Sequence, residues 1–109
     1  MVDSRIPDEV AAFEARLGGQ VQGVGFRYFA QRLGRRHALG GLVRNEPDGS
    51  VYVWAEGPRA VLEEFLAQVR RGPAAAVVET CDVRWVPPRA GRGAPPEFRI
   101  GYGDERSGG

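Results

Sequence analysis

The chain has 109 residues, of which 42% are hydrophobic and 27% charged, so it is expected to form one small globular domain. Its 15 basic and 14 acidic residues leave a net charge of +1, which argues against binding of nucleic acid or a membrane surface through bulk charge. All the basic residues are arginines, which excludes a lysine Schiff base and a lysine-containing phosphate loop.

The first predicted elements are a strand, a glycine-rich turn and a helix. Apolar and charged residues alternate over residues 13–19, which is typical of a half-buried strand. The turn covers residues 19–25. Residues 40–41, both glycine, are predicted to end the helix that follows, because glycine adopts the left-handed conformation at little cost. The stripe that predicts this helix consists of Phe26, Phe29, Ala30, Leu33 and His37.

A hairpin, a second helix and further strands complete the pattern. Residues 42–45 and 50–56 are predicted strands, and between them Glu46-Pro47-Asp48-Gly49 favours a tight reversal. A helix is predicted over residues 60–71, where a glycine–proline pair stops it. The remaining predictions are a long strand over 77–86, a loop over 87–96 and a short strand over 97–102.

This order of elements predicts an α+β fold, the ferredoxin-like two-layer sandwich, in which two helices cover one face of an antiparallel βαββαβ sheet. The domain is expected to span residues 13–102, between an N-terminal arm over residues 1–12 and a flexible tail over 103–109. No apolar run is long enough for a membrane helix, and the N-terminus lacks the apolar core of a signal peptide. The expected location is therefore the cytoplasm.

The most informative segment is GQVQGVGFR, residues 19–27, which lies between a strand and a helix. Backbone N–H groups at the start of a helix are unsatisfied and positively polarised, so such a turn can bind an anion. Gly23 and Gly25 allow successive amides to converge, and Arg27 adds a planar guanidinium that matches phosphate oxygens. Taken alone, the same residues also fit a plain tight turn followed by an exposed arginine, because short glycine motifs are weak signals.

Together with GLVRNEPDGSVYVWAEG, residues 41–57, this loop resembles the acylphosphatase family. The later FLAQVRRGP and FRI segments are also similar to the family, so the resemblance covers about residues 13–102. It implies an enzyme that hydrolyses small-molecule acyl phosphates to a carboxylate and inorganic phosphate, without a metal or cofactor. It also implies that Arg27 binds phosphate, that Asn45 orients the attacking water, and that backbone amides cradle the phosphate at Gln22, Gly23, Val24, Gly25, Phe26 and Arg27.

The implied chemistry suits a chain with one histidine and one cysteine. A carboxylate is a weak base that leaves without a proton donor, and phosphoryl transfer depends mainly on positioning and charge stabilisation. The Asn45 carboxamide can accept a hydrogen bond from water through its oxygen and donate through its nitrogen. One departure is Leu42, where the family usually has an aromatic residue. We expect a monomeric, cofactor-free enzyme that binds neither nucleic acid nor membranes.

Two other functions stay open at this point. One is a carbamoyl-phosphate-handling domain related to hydrogenase maturation. The other is a non-enzymatic module that binds anions at the loop, or RNA on the sheet face where Tyr52 and Trp54 are expected. Arg44 is predicted to be solvated, and His37 and Cys81 are predicted to have structural roles.

Overall fold

The computed structural model describes residues 9–89 and 97–101 of the chain. The predictions made for residues 1–8, for most of the loop over 87–96 and for the tail over 103–109 lie outside the described residues. The elements are, in chain order, β1 (Val10–Gln20), α1 (Phe26–Arg36), β2 (Gly40–Asn45), β3 (Val51–Pro58), α2 (Arg59–Arg71), β4 (Val77–Val86) and β5 (Arg99–Ile100). Both described helices fall short of the length and hydropathy that a membrane-spanning helix needs.

The strands form one sheet in the order β4-β1-β3-β2-β5. β1 lies antiparallel between β3 and β4, so that Phe13 pairs with Ala55 on one side and with Trp85 on the other. β2 and β3 form the predicted antiparallel hairpin. The ferredoxin-like fold expected from the order of elements is therefore confirmed.

The orientation of β5 corrects the prediction of a purely antiparallel sheet. β5 runs parallel to β2, pairing Leu42 with Arg99 and Val43 with Ile100, so the sheet is mixed. After β4 the chain reverses direction and crosses to the opposite edge of the sheet. There it meets β2, which already runs in the new direction, and a parallel pair results.

The core lies between the sheet and the helices because alternate strand residues are apolar. The apolar residues on the inner face of β1 and β3 are buried, as the alternation predicts, whereas Cys81 of β4 is partly buried against them. Phe98, just before β5, is fully buried, with its ring centroid 5.4 Å from that of Phe65. The buried residues that the two helices contribute are Phe26, Ala30, Leu33 and Gly34 from α1, and Leu62, Phe65, Leu66 and Val69 from α2.

Most predicted boundaries differ from the structure by one or two residues, and two differences have a clear physical reason. β1 begins at Val10 rather than at residue 13, because Val10 and Ala12 already pair with β3. The prediction that residues 40–41 end α1 is wrong: the helix ends at Arg36, and the left-handed residue after it is Ala38, with a φ of 58°. Both glycines belong to β2 instead.

Candidate functional site

The direction of the strands brings the predicted site residues together at one end of the sheet, the end at which β1 and β2 finish. β1 and β2 run in the same direction, because each is antiparallel to β3, which lies between them. Their last residues, Gln20 and Asn45, therefore lie at the same edge. The loop from β1 to α1 and the turn from β2 to β3 both leave the sheet there, so the topology makes them neighbours.

The loop after β1 is shaped by two glycines at its exposed positions. Gly23 and Gly25 have φ angles of 76° and 80°, in the left-handed region, which costs other residues about 1–2 kcal/mol. Gly25 is also the N-cap of α1, where no side chain caps the helix and the first turn holds no acidic residue. The amides and the positive dipole end of α1 are therefore available to an anion.

The other loop residues differ in what they can offer a ligand. Phe26 is 1% exposed and its ring packs 6.0 Å from that of Phe29, so only its backbone can reach a ligand. Val24 is half-buried against the core. Arg27, in the first turn of α1, and Asn45, at the end of β2, are both partly exposed.

The side chain of Gln22 joins the loop to the β2–β3 turn. Its Nε2 donates hydrogen bonds of 2.8 Å to the backbone oxygen of Glu46 and of 2.8 Å to that of Ser50. Glu46 directly follows Asn45 in the chain. The loop after β1 and the turn that follows Asn45 are thus in direct contact, which the sequence could not reveal because the contact spans more than twenty residues.

The prediction that Arg44 is solvated is wrong. Its Nε donates to Glu46 Oε2 at 2.6 Å, and the side chains of Arg44 and Glu46 are only 8% and 3% exposed. The Arg44 guanidinium also lies 4.2 Å from the centroid of the Tyr52 ring. Buried charges require such partners because desolvation costs several kcal/mol per ion. The sequence contained a signal for this ion pair, because opposite charges two residues apart on a strand lie on the same face.

The outer face of the sheet carries a second set of polar contacts beside this ion pair. The Tyr52 hydroxyl donates to Glu14 Oε1 at 2.8 Å, and Arg84 donates to the other oxygen of the same carboxylate. Hydrogen bonding from Arg84 lowers the pKa of Glu14 below its ordinary value. Burial, and secondly the bond to Glu14, raise the pKa of Tyr52 to about 12. Tyr52 is therefore a neutral hydrogen-bond donor at physiological pH.

The remaining predicted residues lie away from this edge. His37 is the C-cap of α1, and its Nε2 lies 3.2 Å from Gln68 Oε1 of α2, so it links the two helices. Cys81 is a partly buried free thiol packed against the core. Within residues 9–89 and 97–101, no three histidine, cysteine, aspartate or glutamate side chains converge in a way that could hold a metal ion.

Sequence comparison identifies close relatives across most of the described chain. A family model described as Acylphosphatase matches residues 13–100. The acylphosphatase of Salinibacter ruber is 55% identical over 71 residues, which cover 65% of this chain and 75% of the relative.

Comparison with solved structures gives a consistent result. The crystal structure of acylphosphatase from Bacillus subtilis matches with a TM-score of 0.77 and 36% identity, covering 84% of this chain and 99% of that chain. The structure of full-length HypF in its phosphate- and nucleotide-bound form matches with a TM-score of 0.74 and 26% identity. That match covers 88% of this chain but only 12% of HypF, so the similarity is confined to one segment of a much larger protein.

Proposed function

This chain belongs to the acylphosphatase family, and from that premise we propose a role for each residue of the loop and of the neighbouring turn. The enzyme hydrolyses acyl phosphates to a carboxylate and inorganic phosphate. The oxygen of a water molecule bonds to phosphorus, and the bond between phosphorus and the acyl oxygen breaks. The electron pair of that bond leaves with the carboxylate, whose weak basicity makes a proton donor unnecessary.

In the proposed site, Arg27 and the backbone amides of residues 22–27 bind the phosphate oxygens. The guanidinium forms two parallel hydrogen bonds to a phosphate group, which fixes its orientation as well as its charge. The amides at the uncapped end of α1 stabilise the equatorial oxygens as charge shifts during the transfer. Gly23 and Gly25 hold the backbone in the curled form that this binding requires.

Asn45 holds the attacking water in line with the leaving carboxylate. Its carbonyl oxygen can accept a hydrogen bond from the water, and its amide nitrogen can donate one to the water oxygen. A phosphate oxygen of the substrate then takes the proton released by the water. This mechanism needs only positioning and charge stabilisation, which supply most of the catalysis in phosphoryl transfer.

One observation carries the proposal. The two Gln22 hydrogen bonds join the loop to the turn that follows Asn45, at the edge where the N-terminus of α1 lies uncapped. An anion held by the loop is therefore next to the segment that bears Asn45.

Substitution of Arg27 tests the phosphate-binding role. Arg27→Ala is expected to lower kcat/KM for benzoyl phosphate by at least about 100- to 1000-fold, the effect of losing one preorganised donor. Arg27→Lys is expected to fail as well, because an ammonium group cannot reproduce the two parallel bonds. The control is Arg32→Ala, an exposed arginine one turn further along the same helix, which should retain wild-type activity. Near wild-type hydrolysis by Arg27→Ala would show that the role is wrong.

Substitution of Asn45 separates catalysis from binding. Asn45→Ala is expected to lower kcat strongly and to leave the inhibition constant of inorganic phosphate nearly unchanged, because the phosphate ligands are intact. Steady-state assays with phosphate as competitive inhibitor measure both quantities. Equal losses in kcat and in phosphate affinity would contradict the assignment of Asn45 to the water.

The RNA-binding alternative is not favoured by the aromatic residues of the outer sheet face. Arg44 lies over the ring of Tyr52, and Arg89 lies 4.7 Å from the centroid of Trp54, which is only 1% exposed. Neither ring offers the free face that base stacking needs. We propose that the enzyme acts as a monomer in the cytoplasm and binds neither nucleic acid nor membranes; sedimentation analysis and cell fractionation test these predictions.

A further inference from the structure

We propose that Gln22 is a positioning residue for the hydrolysis, because its side-chain amide fixes the distance between the phosphate loop and Asn45. The backbone amide of Gln22 belongs to the proposed phosphate cradle, whereas its side chain contacts the opposite half of the site. This inference rests on the proposed roles of Arg27 and Asn45.

The contacts of Gln22 span the base of the β2–β3 turn. Glu46 follows the last residue of β2 and Ser50 precedes the first residue of β3, and Gln22 Nε2 lies 2.8 Å from the backbone oxygen of each. The amide has two N–H donors, one for each carbonyl. Both carbonyls also accept a bond from within the turn, at 3.1 Å from Gly49 N and at 2.9 Å from Glu46 N. Gln22 thus completes the hydrogen bonding of the turn.

The turn that Gln22 contacts is itself fixed. The Glu46 carboxylate is held by Arg44 at 2.6 Å and by Arg16 at 3.6 Å. On the other side of the turn, Asp48 accepts hydrogen bonds from the backbone nitrogen and the hydroxyl of Ser50 at 2.9 and 2.6 Å. Because Gln22 is bonded to a turn that is itself held in place, the loop that carries Gln22 cannot move relative to Asn45 without breaking these bonds.

This position matters because displacement of a reacting group by about 1 Å can cost about 100-fold in rate. Without the Gln22 bonds, the loop and Arg27 would still bind phosphate. The distance between the phosphorus atom and the water held by Asn45 would, however, no longer be fixed. A positioning role therefore predicts a loss in kcat with phosphate affinity retained. A purely structural role predicts a loss of stability with kcat retained.

The first test replaces Gln22 by a side chain of similar length that has no donor. Gln22→Met is expected to lower kcat for benzoyl phosphate by about 10- to 100-fold, with the inhibition constant of inorganic phosphate unchanged. The matched control is Gln68→Met, which removes another part-buried glutamine, the one bonded to His37 between the helices. This control should retain the wild-type kcat. An unchanged kcat in Gln22→Met would overturn the proposal.

A double-mutant cycle tests whether Gln22 acts through Asn45. If it does, Gln22→Met should cause no further loss of kcat in the Asn45→Ala background, because the water is no longer held there. Equal losses in the two backgrounds would overturn the positioning role and leave the roles of Arg27 and Asn45 standing. If Asn45→Ala alone left kcat unchanged, the proposed function would fail, and the positioning role would fail with it.

Gln22→Glu provides a test that does not depend on comparing the stability of different variants. A carboxylate cannot donate to the two carbonyls, whereas the protonated carboxyl group can donate to one of them. The ratio of its kcat to the wild-type kcat is expected to rise as the pH is lowered and the glutamate gains its proton. A ratio that stays constant while the variant remains folded, checked by circular dichroism, would contradict the proposal.

Discussion

At the scale of single residues, the outer face of the sheet depends on charges paired across strands. Glu14 of β1 accepts from Tyr52 of β3 and from Arg84 of β4, and Arg44 of β2 covers the Tyr52 ring. These four side chains are therefore joined to one another across neighbouring strands. Burial and the Glu14 carboxylate both disfavour the ionised form of Tyr52, and this makes stability depend on pH.

Tyr52 is expected to destabilise the fold at high pH. Below pH 10.0 its hydroxyl is protonated in the folded and unfolded states, so its contribution to stability is fully present. Between pH 10.0 and about 12, the unfolded tyrosine ionises while the folded one keeps its proton, so the free energy of unfolding falls as the pH rises. Urea unfolding across this range measures the fall, which should be smaller in Tyr52→Phe. Tyr28→Phe, at an exposed position, is the control and should follow the wild-type curve.

At the scale of elements, β2 is held close to both β3 and the segment before β5. A Cβ atom at Gly41 would overlap the backbone oxygen of Trp54 and the ring of Phe98. Gly41, one of the two glycines expected to end the helix, is therefore needed for the packing of β2. In the hairpin turn, glycine is needed for its backbone conformation rather than for space. Gly49 has a φ of 95°, and no atom lies within 4 Å of its Cβ position.

The two glycines allow steric overlap to be separated from backbone strain. Gly49→Ala is expected to lower the free energy of unfolding by about 1–2 kcal/mol, the cost of the left-handed conformation. Gly41→Ala should cost more, because the Trp54 oxygen belongs to the paired backbone of β3 and cannot move aside. Urea unfolding of the two variants measures the difference, and equal losses would contradict the close packing of β2 against β3.

At the scale of the whole molecule, the segment before β5 closes the core from the edge opposite β4. Phe98 packs against Phe65 of α2 and lies over Gly34 of α1. The Arg35 side chain donates to its backbone oxygen at 2.8 Å. A short C-terminal segment thus joins both helices to the β2 edge of the sheet.

Phe98→Ala is expected to lower the free energy of unfolding by about 3–5 kcal/mol, the usual cost of removing a buried phenylalanine. Tyr28→Ala, which removes an aromatic ring that is 62% exposed, should change it by less than about 0.5 kcal/mol. Denaturant unfolding of both variants measures these values. A loss below about 1 kcal/mol for Phe98→Ala would show that this segment does not close the core.

The properties that depend on local order along the chain could be predicted from the amino-acid sequence. Alternation over residues 13–19 predicted which side chains of β1 face the core, and helical spacing predicted Phe26, Ala30 and Leu33 on the buried stripe of α1. The GQVQGVGFR and GLVRNEPDGSVYVWAEG segments carried the resemblance to acylphosphatases, and with it the prediction that Arg27 and Asn45 are site residues. Each of these signals lies within one element or two consecutive ones, where residues close in the sequence determine the geometry.

The contacts between distant segments became known from the folded structure. Three such contacts join different elements. They are the parallel pairing of β5 with β2, the stacking of Arg44 over the Tyr52 ring, and the bonds from Gln22 to Glu46 and Ser50. No period within a strand or helix encodes such contacts, because they depend on which strands become neighbours and in which direction each one runs. The strand order of the sheet therefore determines how the proposed phosphate loop is held beside the turn that follows Asn45.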